Sequence, residues 1–177
     1  HESCYWSAIP QMEDGEMPER PDMSDSDGNF GGGGGGFDSD VVDGKILITG
    51  GTVTVDAGGD GLDSNGSIEI TGGEVTVYGP ANGGNGAIDY NEQASFIMDG
   101  GTLIAMGISG MDQAPSEGDQ TFIAVTTDEN IAAGETVTVT DSEGNVVATF
   151  EVGSKESSYF VVSTADMVEG ETYPLSS

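Results

Sequence analysis

Carboxylates recur at one repeating corner of this sequence. Residues 58–66 read GGDGLDSNG and residues 83–91 read GGNGAIDYN. Aligning Gly61-Leu62-Asp63, Ala87-Ile88-Asp89 and Gly110-Met111-Asp112 puts three carboxylates in one column. Asp60 and Asn85 make a second column, and Asn65 and Asn91 a third. If these corners stack as parallel strands do, about 4.8 Å apart, oxygens on adjacent layers come close enough to share one hard cation. Stacked carboxylates left bare would repel, so either an ion or a raised pKa must relieve them. The expected metal ligands are therefore Asp60, Asp63 and Asp89, with Asn85 and Asp112 beside them, and the expected ion is calcium. The competing reading is that Asp and Asn serve only as corner residues, which they do in any turn. GGDGLD also opens like the calcium-binding nonapeptide repeat, but Asn65 stands where that repeat needs an apolar residue. Asp25-Ser26-Asp27-Gly28-Asn29 imitates the start of an EF-hand loop and lacks its sixth-position Gly and twelfth-position Glu.

The elements that would position these corners also repeat. ITGGTVTV (48–55), ITGGEVTVY (70–78) and MDGGTLIAM (98–106) each place a Gly-Gly pair between two β-branched runs. The pairs begin at Gly50, Gly72 and Gly100, spacings of 22 and 28 residues that suit a stacked repeat. The runs predict strands over 46–49, 52–55, 67–71, 74–78, 95–98 and 102–106, with a Gly-Gly turn inside each pair. Ile48, Ile70 and either Ile97 or Met98 should point inward before the turn, and Val53, Val75 and Leu103 after it. Gly-Gly also serves hairpins, so an antiparallel meander competes; the three-segment unit of strand, Gly-Gly strand and acidic corner favours parallel coils. The expectation is an all-β chain: a right-handed parallel β-helix of about three turns over 45–115. Ala114-Pro115 should end it. Beyond, 121–127, 136–140, 146–152 and 158–163 alternate with period two, and DSEGN (141–145) reads as a hairpin turn. Residues 116–177 are expected to form an antiparallel β cap, because an open solenoid end invites pairing with other chains. Residues 1–44 read as an irregular Gly-, Pro- and Asp-rich arm, with prolines at 10, 18 and 21 and six consecutive glycines at 31–36.

Composition narrows the partners. The 177 residues hold 32 Asp and Glu against Arg20, Lys45 and Lys155, for a net charge of −29. Nucleic acid and anionic membrane surfaces are disfavoured, since phosphate binding needs clustered Lys and Arg. No apolar run is long enough to span a bilayer. Only 35% of residues are hydrophobic and 30 are glycine, which suits a thin coil better than a thick core. The lone Cys4 excludes an internal disulfide framework and leaves a free thiol or an intermolecular pair. A chain that opens on His1 rather than Met is expected to be a processed product or a fragment, its signal peptide removed. With few Lys and abundant Thr, Gly and Asp, an extracellular or cell-surface location follows.

GDGLDSNGSIEITGGEVTVYGP, GGNGAIDY, GGTLIAMGISGMDQAP and GETVTVTDSEGNVVATF together resemble the C-terminal half of the clostridial-type secreted carbohydrate-binding β-helix proteins, a polysaccharide-lyase-like, calcium-binding family. The resemblance covers about Lys45 to Leu175. It implies calcium along the helix, at Asp60, Asp63 and Asp89, and affinity for plant-type polysaccharides, acidic galacturonans included. Two departures stand out: the family carries further turns upstream, and its Gly-rich insertion interrupts the helix rather than preceding it.

Catalysis is the less favoured reading. Lyase chemistry needs an Arg or Lys base beside the uronate, and neither Lys45, Lys155 nor Arg20 stands near an acidic corner in sequence. A carboxylate pair for glycoside hydrolysis arises by chance among 32 acids. His1 is the only histidine, which excludes a Ser-His-Asp set without it and leaves a copper brace without its second His. The favoured reading is a non-catalytic, calcium-binding, polysaccharide-binding protein, with Tyr78 and Tyr90 beside the corners as stacking rings for sugar. The alternative is a self-assembling subunit of a calcium-stabilised filament or surface matrix; Tyr5, Trp6 and Ile9 of the arm would dock on a neighbouring copy or, the less favoured site, on the uncapped first turn of their own coil.

Overall fold

A computed structural model describes residues 44–177, and these are all-β, with ten strands and no helix among them. They lie within one compact unit. No helix there is long and apolar enough to cross a membrane. The expectations that rest on Cys4, Tyr5, Trp6, Ile9, Arg20 and the 31–36 glycines lie outside the described residues.

Three strands of 12 residues carry the repeat: β1 (Lys45–Asp56), β3 (Ser67–Tyr78) and β5 (Phe96–Gly107). Between them lie two short strands, β2 (Leu62–Ser64) and β4 (Ile88–Tyr90). β1, β3 and β5 pair in parallel, with Lys45 opposite Ser67, Thr52 opposite Glu74 and Val75 opposite Leu103. The register reproduces the 22- and 28-residue spacings and excludes the antiparallel meander. β2 and β4 form a second, two-stranded parallel sheet, Asp63 opposite Asp89. Each stretch of chain thus runs along the large sheet, crosses to the corner sheet and returns.

The Gly-Gly pairs do not separate strands as expected. Each sits inside one continuous strand as an irregularity, with register shifts around Thr49 and Thr71. Gly51, Gly73 and Gly101 hold φ of 80, 99 and 87°. That left-handed step bends the strand without breaking its ladder, and a β-branched residue could not adopt it without strain. Stacking adds a second requirement: a Cβ on Gly73 would lie 2.8 Å from the Gly51 carbonyl oxygen.

Alternation places the core. Ile68, Ile70, Val75, Val77, Phe96, Met98 and Leu103 are at most 1% exposed, so each contributes roughly 1.5–3 kcal/mol on burial. Met98, not Ile97, continues the Ile48–Ile70 row. On β5, Leu103 and Ala105 face this core, while Ile104 and Met106 point the other way into a second one.

That second core belongs to the C-terminal strands β6 (Phe122–Ile131), β7 (Thr136–Thr140), β8 (Val146–Glu151), β9 (Ser157–Ser163) and β10 (Leu175–Ser176). β9 pairs antiparallel with the free edge of β5, and β6 pairs antiparallel with β9, giving a sheet ordered β1-β3-β5-β9-β6. β7 and β8 form the hairpin through Asp141–Asn145, and β10 adds to β7. The C-terminal strands therefore cover the β5 end, and part of them extends the large sheet itself. The parallel path also runs past Ala114-Pro115. Glu117 bridges Ile97 in parallel, Met98 N donates to Glu117 O, and Gln120 N donates to Met98 O.

Candidate functional site, an acidic corner between parallel strands

The corner is built by backbone first. Leu62 pairs with Ile88, a 26-residue register, through bonds from Gly61 N to Gly86 O and from Leu62 N to Ala87 O. Close approach explains Gly61: a Cβ there would lie 2.3 Å from the Ala87 carbonyl oxygen. Leu62 and Ile88 turn into the core, which sends their strand neighbours Asp63 and Asp89 to the other face.

Two carboxylates lie opposite one another there, and a third is near enough for its charge to act on one of them. Asp63 is exposed and directly opposite half-buried Asp89. Asp60 reaches across the layers, its Oδ1 accepting the buried Gly86 N–H at 2.7 Å. Burial, then the charges of Asp60 and Asp63, push the Asp89 carboxyl above the ordinary carboxylate range. Among the described residues no three or more His, Cys, Asp or Glu side chains gather as a metal-holding group. The donors are hard oxygens, the kind calcium takes, and Asp60 already spends one on Gly86.

The remaining expected ligands are placed differently. The 26-residue register sets Asp60 against Gly86 rather than Asn85, and Asn85 lies beside Gly59. Asn65 and Asn91 keep the expected register, since Asn91 N donates to Ser64 O. Asp112 does not make a third rung. Its carboxylate folds back onto the Ser109 hydroxyl and the Gly110 N–H. The place of the next strand is taken by an amide: Gln113 Oε1 accepts from Tyr90 N at 2.7 Å, and its Nε2 donates to Tyr90 O. Gln113 thus imitates one peptide unit and ends the corner sheet at β4. Nothing in the spacing of Gly110-Met111-Asp112 signals this. A Gln after the third Asp was the only sign.

Both candidate stacking rings are engaged within the protein. Tyr90 is half-buried, lies edge-on to Phe96 with centroids 6.0 Å apart, and donates its hydroxyl to Ala114 O. Tyr78 is half-buried on the second core, and its ring lies so close to Gly153 that a Cβ there would sit 2.5 Å from it. Tyr159 donates to Gln113 O, and burial together with the Asp112 charge pushes its hydroxyl up to about 12. The two lysines of the described residues are both paired, Lys45 with Glu69 and Lys155 with Asp56 and Ala57 O. No protein-family model, curated protein or solved structure matches this chain.

Proposed function

We propose that this chain is a non-catalytic, extracellular polysaccharide-binding module, built as a right-handed parallel β-helix, in which calcium joins the acidic corner to an acidic glycan. The observation that carries the reading is the pairing of Asp63 with Asp89 near Asp60, the Asp89 carboxyl being pushed upward by burial and then by the Asp60 and Asp63 charges. Such repulsion favours a bound cation. Among the described residues too few oxygens converge to enclose one, so an ion held here keeps positions open for carboxylates and hydroxyls of a uronate polymer. Calcium also reverses the sign of the local field, without which a polyanion would be repelled by −29 charges.

The chain order of strands supports the β-helix, because large-sheet and corner-sheet strands alternate along the sequence while each set pairs in parallel. Connections of this type take the right hand. The half-buried state of Tyr78 and Tyr90 favours an acidic over a cellulosic glycan, since a neutral chain needs exposed rings. Lys45 and Lys155 are each engaged by a carboxylate of the protein, which supports binding without catalysis. Affinity electrophoresis tests this. Polygalacturonate in the gel should retard the protein with calcium and not with chelator, and Asp63→Asn/Asp89→Asn should abolish the retardation. Retardation that ignores chelator, or none by any uronate polymer in calcium, would overturn it.

A further inference from the structure

The two ends of the parallel sheet are unlike. β5 is covered by β9, whereas β1 has β3 as its only partner among the described residues. Ile46, Val53 and Val55 are accordingly only partly buried, while Ile68, Val75 and Val77 directly beneath them are at most 1% exposed. An open edge with an apolar inner row is a template for another strand. The chain's own preceding residues do not repeat the pattern: 22 positions before Ile46, Ile48, Val53 and Val55 stand Ser24, Ser26, Gly31 and Gly33.

The sequence of β1 points to its own copy. KILITGGTVTVD is a chemical palindrome about Gly50-Gly51. Read against itself in the antiparallel sense, Lys45 meets Asp56, Ile46 meets Val55, Leu47 meets Thr54, Ile48 meets Val53 and Thr49 meets Thr52. Inward residues meet inward ones, outward meet outward, and the only two charges meet as opposites. The bend at Gly50-Gly51 divides the strand into two arms of equal length, so a two-fold axis through the bend exchanges the arms and keeps the cores aligned.

We infer that β1 is a self-association surface on which a second copy of this chain pairs its own β1 antiparallel, about a two-fold axis at Gly50-Gly51. This joins the two cores end to end. The contact is isologous and closes on itself, so it makes a pair and not a filament. Lys45 is 46% and Asp56 55% exposed in their existing ion pairs, which leaves each free to meet the partner's Asp56 or the partner's Lys45. Two chains of −29 repel at long range, so association should strengthen with ionic strength as the Debye length falls to about 10 Å near 0.1 M.

The test is sedimentation of the full-length protein across concentration and salt, with hydrogen exchange read over residues 45–56. A monomer–dimer equilibrium favoured by salt is expected, with slower exchange along β1 as dimer forms. Lys45→Asp and Asp56→Lys each place like charges opposite one another twice per dimer, and each should weaken association about tenfold. The double variant restores opposite charges and should recover to within about threefold of the unaltered protein. Urea midpoints of the variants report separately on folding. A protein that stays monomeric at all salt concentrations overturns the inference. So does a double variant no better than either single one. Slow exchange over 45–56 in a monomer would likewise overturn it, assigning the edge to residues 1–43.

Discussion

Alanine placed at equivalent glycines should cost different amounts in successive layers, because the layer above differs. Gly51, Gly73 and Gly101 share the left-handed conformation, at φ of 80, 99 and 87°. Alanine there carries a strain of about 1–2 kcal/mol wherever it stands. A Cβ on Gly51 meets nothing within 4 Å among the described residues, whereas one on Gly73 lies 2.8 Å from Gly51 O, and one on Gly101 lies 2.5 Å from Gly73 O. Backbone cannot swing aside as a side chain can, so the two lower layers add an overpacking cost of roughly 1–3 kcal/mol. Gly51→Ala should therefore lose about 1–2 kcal/mol, and Gly73→Ala and Gly101→Ala about 2–5 kcal/mol. Gly50 provides the control, having open space among the described residues and no positive φ; Gly50→Ala should be neutral or stabilise by about 0.4–1 kcal/mol. Urea unfolding at low protein concentration and low salt, which keeps a second copy off β1, measures all four. Equal losses at positions 51, 73 and 101 would refute the stacked register.

Three other outcomes follow from the same geometry. Because the folded pKa of Asp89 is raised, the native state holds its proton more tightly than the unfolded chain. In chelator, the stability contributed by Asp89 should be fully present below its unfolded value and be lost as pH rises through the folded one; Asp89→Asn should remove that loss and be the more stable at neutral pH, by urea titration of both proteins across about pH 3 to 7. Asp56 is depressed chiefly by the Lys155 hydrogen bond, so its contribution is present above its unfolded pKa and lost as pH falls through the folded one; carbon-detected NMR should show the Asp56 titration move upward in Lys155→Ala. Ile70, fully buried between Ile48 and Met98, should lose about 2–5 kcal/mol on change to Ala.

Parallel pairing and register were legible because the repeat spacing fixes both: Thr52 must meet Glu74 if ITGGTVTV stacks on ITGGEVTV. The Gly-Gly steps were misread as turns, since Gly-Gly serves equally a hairpin and an αL step inside a strand, and only the layer above decides between them. Asp63 and Asp89 were legible for the same reason as the strands. Asp112 was not, because the third corner is finished by the side chain of Gln113 rather than by another strand, and side-chain mimicry of a peptide leaves no periodicity. The 26-residue register between the corners, against 22 and 28 in the large sheet, likewise moved Asp60 off Asn85 and onto Gly86.

Calcium binding at the acidic corner is the central claim, and isothermal titration calorimetry of calcium into the full-length chain tests it most directly, run beside Asp60→Asn/Asp63→Asn/Asp89→Asn. The account predicts a saturable heat in the unaltered protein, its loss in the triple variant, and a stability gain of about 2.7 kcal/mol at a hundredfold excess over Kd in the former alone. No saturable heat, or the same heat in both proteins, would contradict it.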